Sequence, residues 1–222
     1  MRIILVRHGD PDYVKDCLTE LGKKQAAVAA ERLMGEGIEK IYASSLGRAI
    51  ETAQAFSDRS GITPVHILPF MQEIRFGYGM DLYTTGNPWD ETDEMSKRGE
   101  DLTDPNWQEH PFFKENAATE DVTMIARETD KWMATLGYER EGLYYRCARE
   151  DDKEHTVVLF AHGGSGTAML SRILNLPFPY LCAIVRMEHT AITILHMDKR
   201  PGSVTMPVVE LLCDSRHIHN MP

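Results

Sequence analysis

The sequence predicts an α/β fold with a mainly parallel central sheet, and three observations carry that expectation. Two short apolar runs, Ile3-Ile4-Leu5-Val6 and the stretch from Thr156 to Ala161, have the composition of strands buried on both faces. Between residues 3 and 68 the chain reads strand, helix, strand, helix, strand. Both apolar runs stop at a histidine followed by glycine, His8-Gly9 and His162-Gly163-Gly164.

Each element has its own local signal. The first strand, Ile3 to Val6, ends at Arg7-His8-Gly9 with Pro11 just beyond. Thr19 is placed to cap a helix, with Glu20 in its first turn. Ala26, Ala29, Ala30 and Leu33 keep helical spacing, and Gly35 and Gly37 stop the helix. A second strand follows over Ile38 to Ala43. Ser44-Ser45 supplies the next N-cap signal, and Leu46, Ala49, Ile50, Ala53 and Phe56 fall on one helical face. Gly61 and Pro64 close that helix before a third strand, Val65 to Leu68.

Residues 74 to 118 behave differently. They are rich in glycine, proline and acids, carry Trp89 and Trp107, and show weak periodicity. They read as a partly helical excursion over the site or at an interface, within an insertion of about 74–140. A helix is expected over 119–137, starting at Thr119, and a charged surface turn over Arg149 to His155. After the strand Thr156 to Ala161 comes a helix over Ser165 to Leu174. Ala191 to Leu195 and Val204 to Leu212 read as late strands joined by a turn at Pro201-Gly202. The whole, 1–222, is expected to form one domain.

The 222 residues are 42% hydrophobic and 26% charged, the balance of an ordinary globular protein with a sizeable core. The formal net charge is -10 and no basic face stands out, so no nucleic-acid partner is expected. An acidic chain that binds an anion must gather positive charge locally, which makes individual arginines informative. The four cysteines, Cys17, Cys147, Cys182 and Cys213, show neither CxxC pairing nor zinc spacing, and read as reduced thiols. The apolar run at Ile3 to Val6 is too short for a signal peptide or a membrane span, so the expected location is the cytoplasm, with no membrane partner.

In a parallel sheet, ligands bind beyond the carboxyl ends of the strands. His8 and His162 would then meet in one cleft if their strands are neighbours, and the glycine after each would let the backbone approach a ligand closely. Arg7 adds a fixed charge beside His8. Arg48 sits near the start of the helix after Ser44-Ser45, where an anion is favoured and a guanidinium can grip phosphate oxygens in pairs. Together these residues describe a pocket for a dianionic group. A metal site at His8 and His162 is disfavoured, because neither belongs to an HExxH motif or a close His pair and the arginines would repel the cation. His66, His110, His189, His217 and His219 have no motif context and read as structural or surface residues.

These segments resemble the histidine phosphatase superfamily, also called phosphoglycerate mutase-like. Arg7-His8-Gly9 looks like its signature, and Tyr42-Ala43-Ser44-Ser45-Leu46-Gly47-Arg48-Ala49-Ile50-Glu51-Thr52-Ala53 like its second motif. Leu18-Thr19-Glu20-Leu21-Gly22 with Gln25-Ala26 resembles its first helix. Gln72-Glu73-Ile74-Arg75-Phe76-Gly77 resembles its acid-bearing segment, and His162-Gly163-Gly164 its final histidine motif. The likeness runs over 1–80 and resumes at 156. It departs in the loop Asp10-Pro11-Asp12-Tyr13, where many members carry Thr or Asn, and at Tyr78-Gly79-Met80-Asp81, where Trp-Glu-Gly is common.

The resemblance implies a three-layer α/β/α sandwich with a helical insertion over the site. It implies a phosphatase for phosphomonoesters of small metabolites, with no metal or other cofactor. His8 would be the nucleophile and Glu73 the acid that protonates the leaving group. Arg7, Arg48 and His162, with the backbone of Gly163, would hold the phosphate. Mutase-type phosphoryl transfer and non-catalytic binding of phosphorylated ligands are the alternatives.

Overall fold

The computed structural model describes residues 1–219 and Met221. Six strands form the central sheet: β1 (Arg2–Arg7), β2 (Lys40–Ser44), β3 (Val65–Leu68), β4 (Thr156–Ala161), β5 (Ile192–His196) and β6 (Val208–Asp214). Their order is β6-β5-β1-β4-β2-β3. β1, β4, β2 and β3 are mutually parallel, while β5 runs against both of its neighbours. The two apolar runs thus lie side by side at the centre, where both faces are covered.

Burial alternates with the period of the strand. Ile4, Val6, Ile41, Ala43, Val158 and Phe160 pack against α1 (Glu20–Leu33) and α2 (Gly47–Ser60) through Ala30, Leu33, Ala53 and Phe56. The opposite set, Ile3, Leu5, Tyr42, Val157 and Leu159, faces a larger cluster. That cluster is built from α4 (Ala117–Thr135), α5 (Gly163–Leu174), α6 (Phe178–Ile184) and the insertion. Helices on both faces make the three layers. Each fully buried side chain of this kind stabilises the fold by about 1.5–3 kcal/mol.

The insertion is core as well as cover. Within it lies α3 (Pro88–Arg98), capped by Asn87, whose side chain accepts from the Trp89 N–H. Met95, Trp107 and Phe113 join the main cluster, and the Trp107 ring lies 5.7 Å from that of Phe178. Among the described residues no helix is long and apolar enough to cross a membrane.

Three local expectations need correction, and one hairpin went unread. Ser44-Ser45 does not cap α2: Ser44 ends β2, and the first turn is closed by Asp16, whose Oδ2 accepts from Gly47 N at 2.7 Å. The helix expected from Thr119 begins at Ala117, because Asn116 Oδ1 accepts from Ala118 N at 3.0 Å; Thr119 turns its hydroxyl back to the Phe113 carbonyl. The last strand is two. Pro207 has no N–H to give a ladder, so Val204–Thr205 pairs with Tyr144–Cys147, and the sheet edge begins anew at Val208. That partner belongs to a hairpin, Tyr138–Glu141 with Tyr144–Cys147, which the sequence did not announce; its strands are short and their outer face is charged.

Candidate active site

β1 and β4 are paired residue for residue up to Arg7 opposite Ala161, so the next residue of each is a histidine at the same height. His8 N donates to the Ala161 carbonyl at 2.9 Å. The imidazoles of His8 and His162 stand 5.1 Å apart, centroid to centroid, both buried.

Each ring is oriented by one hydrogen bond. His8 Nδ1 lies 2.7 Å from the carbonyl of Gly9, which can only accept. That fixes the proton on Nδ1 and leaves the Nε2 lone pair free. His162 Nε2 lies 2.8 Å from the Ser44 hydroxyl, while its Nδ1 is buried with no protein partner. Burial drives the His8 pKa down to about 3, helped by repulsion from Arg7 and Arg48 against a raising contribution from the Gly9 carbonyl. His162 is likewise held well below its ordinary value, by burial first and then by His8, Arg48 and Arg7. Both rings are therefore neutral near pH 7.

The arginines converge on the same place. Arg7 donates from Nη1 to the Met187 carbonyl at 2.5 Å. Arg48 sits in the first turn of α2 and donates from Nη1 to Asp16 Oδ1 at 2.5 Å. Asp16 thus closes the helix and aims the guanidinium with one carboxylate. Among the described residues, Arg7 Nε, Arg48 Nε and His162 Nδ1 are buried nitrogens without a hydrogen-bond partner. Buried polar groups left this way are costly, and three around one point suit an anion with several oxygens. The first turn of α5 begins at Gly163 and adds backbone N–H groups with no side-chain cap.

Glu73 approaches from the far side. Its Oε1 accepts from Ile74 N at 2.9 Å and from Ser165 N at 3.0 Å, which ties the acid segment to α5. Gly164 is glycine because an added Cβ would sit 2.5 Å from Glu73 Oε1 and from Ile74 Cγ1. Gly9 has a different reason from the one expected: a Cβ there would lie 2.6 Å from the Gly22 carbonyl, so close packing on α1, not a ligand, demands it.

The structure thus brings His8, Arg7, Arg48, His162, Gly163 and Glu73 into one cleft. Three contributors were missed. Thr52, one turn after Arg48, accepts from Gly9 N at 3.1 Å; its i+4 spacing was the available signal. Asp16 and His189 offered none. The His189 ring lies 5.7 Å from His8 and its Nδ1 3.6 Å from Asp10 Oδ1. Burial and Arg7 lower its pKa.

The fold is that of an α/β protein of the phosphoglycerate mutase-like kind. The chain belongs to the histidine phosphatase superfamily (branch 1), whose family model matches residues 3–208. It is similar to a glucosyl-3-phosphoglycerate phosphatase of Mycobacterium tuberculosis, 28% identical over 91% of this chain and 88% of the relative. It is also similar to a probable phosphoglycerate mutase of Yersinia pestis, 25% identical over 100% of this chain and 96% of the other. Among solved structures, phosphoserine phosphatase from Entamoeba histolytica with 3-phosphoglyceric acid superposes with a TM-score of 0.65 at 19% identity, covering 98% of each chain.

Proposed function

We propose that the chain is a metal-independent phosphatase that hydrolyses phosphomonoesters of small metabolites through a phosphohistidine on His8. The observation that carries this reading is the pair of neutral imidazoles 5.1 Å apart, flanked by arginine and histidine nitrogens that lack protein partners. His8 Nε2 attacks phosphorus, forming an N–P bond as the P–O bond to the alcohol breaks. Glu73 gives its proton to the departing alkoxide. In the second step Glu73 takes a proton from water, whose oxygen displaces His8 and releases phosphate. Arg7, Arg48, His162 and the Gly163 N–H hold the equatorial oxygens throughout, supplying charge where it develops. Membership of the superfamily and the phosphatase relative in Mycobacterium tuberculosis support the hydrolase assignment.

Phosphate release from a panel of phosphomonoesters, with rapid-quench trapping of phosphoprotein, tests it. The expected adduct is stable to alkali, labile to acid, and absent in His8→Ala. Turnover that survives in His8→Ala would sink the covalent route. Isomerisation of 3-phosphoglycerate faster than phosphate release would replace hydrolysis by mutase chemistry.

A further inference from the structure

Beyond Glu73 the site widens into a cavity of about 920 Å³, walled by Tyr13, Leu46, Phe76, Tyr83, Trp89 and Ile125. A second lobe of about 480 Å³, toward α5, shares Tyr13, Glu73, Phe76 and Trp89, so both open on the same carboxylate. This is where the alcohol of a bound ester must lie.

Charge in these walls is cancelled from within. Arg75 gives Nη2 to Asp121 Oδ1 at 2.6 Å and Nε to both Asp121 oxygens, and also reaches Glu120 at 3.1 Å. Asp121 is further saturated by the Arg75 backbone N–H at 2.7 Å. In the second lobe Arg186 stands 3.5 Å from Asp93. Arg48 is turned to Asp16 and the phosphate side. A second anionic group on the substrate would meet arginines whose charge is already offset by Asp121, Glu120 and Asp93, while facing Glu73. A sugar hydroxyl would find the Asp121 oxygens already occupied.

What the walls offer instead is aromatic surface. The Phe76 and Tyr83 rings meet edge to face at 5.2 Å, and the Trp89 ring is braced the same way on Phe178 at 6.1 Å. Tyr83 sits at φ +63°, a conformation that disfavours a bulky residue, and its N–H is held by the Phe76 carbonyl at 2.9 Å. Strain of this kind persists where a position is over-determined by its surroundings, and it is common at ligand clamps. Burial and the nearby Asp121 carboxylate push the Tyr83 phenol above its ordinary pKa, keeping it neutral.

We infer that the preferred substrates are phosphomonoesters whose alcohol is uncharged and lays an apolar or aromatic face on Phe76, Tyr83 and Trp89. The inference rests on the phosphatase reading and names the substrate class of the same site. Three primary alkyl esters test it: ethyl phosphate, 2-phenylethyl phosphate and 3-phosphoglycerate, whose leaving alkoxides differ little in what they ask of the acid. The expected kcat/KM for 2-phenylethyl phosphate exceeds both others at least tenfold, mainly through KM. Tyr83→Ala, at an exposed position, should cut that preference at least fivefold, and Tyr83→Phe should keep most of it. Binding of the same esters to His8→Ala, measured by calorimetry, should follow the same order. If the binding order holds but nothing is hydrolysed by the unaltered chain, the phosphatase reading fails and the cavity assignment stands. If hydrolysis proceeds but 3-phosphoglycerate is turned over and bound as well as 2-phenylethyl phosphate, or Tyr83→Ala leaves the preference intact, the cavity assignment fails alone.

Discussion

The proposed phosphate pocket and the cavity beyond it are built on opposite plans. The pocket is made of strand ends and helix first turns, its histidines and Arg48 are buried, and its cations keep nitrogens unpaired. The cavity is made largely of the insertion; Tyr13 and Tyr83 are exposed, and its arginines are held by carboxylates. The first plan suits a group that every substrate shares, the second a group that varies. Rigid elements hold reacting atoms within the tolerance that transition-state stabilisation needs, while connecting segments can change without cost to the sheet.

Variants can break or sharpen that contrast. The largest effect belongs to His8→Ala, which should lower kcat by roughly 10⁴-fold or more on every ester alike, since it removes the attacking atom. Stopped phosphate-release assays on esters of differing alcohols would check this; a loss that depends on the alcohol would blur the division. Arg48→Ala should cost about 10²–10³-fold, again uniformly. Because Arg48 also pairs with Asp16, circular dichroism should accompany the kinetics to separate charge from helix loss. Glu73→Gln stands on the boundary. It should cost about 10²-fold or more on alkyl esters and far less on p-nitrophenyl phosphate, whose leaving group needs little protonation. Equal losses on both would remove Glu73 from the acid role.

The smallest effect is on stability. His8 has a folded pKa of about 3 against an ordinary 6.5, so below pH 6.5 the unfolded chain takes up a proton that the folded chain refuses. Stability tied to this group is intact above pH 6.5 and is lost as pH falls towards 3. The loss at pH 5 amounts to about 2 kcal/mol. Urea titrations from pH 7 to 5 should show a shallower decline for His8→Asn, and an unchanged slope would mean that the ring is not held neutral.

The same contrast explains what could be read in advance. Ile3 to Val6 and Thr156 to Ala161 are legible because a strand buried on both faces needs a continuous apolar run, and their terminal histidines stand out against it. Arg48 is legible from its place in a helix first turn. Asp16 is not, since it serves α2 from a loop 31 residues before Gly47 and no local spacing marks that partnership. His189 meets His8 only because β5 returns antiparallel beside β1, a pairing between residues distant in sequence. Phe76, Tyr83 and Trp89 come together through tertiary packing of an aperiodic segment, where hydrophobic periodicity has nothing to report.

The one-to-one pairing of β1 with β4 carries a consequence for how this chain tolerates change in length. Residues may be added or lost in the surface turns of the insertion without moving His8 relative to His162, because their alignment is set by the ladder and not by the connection. A single residue added inside either strand would instead swing one imidazole to the opposite face and its apolar neighbours into the wrong layer. Change in length is thus easiest to accommodate in the insertion, and twelve sheet residues act as the scaffold's immovable gauge.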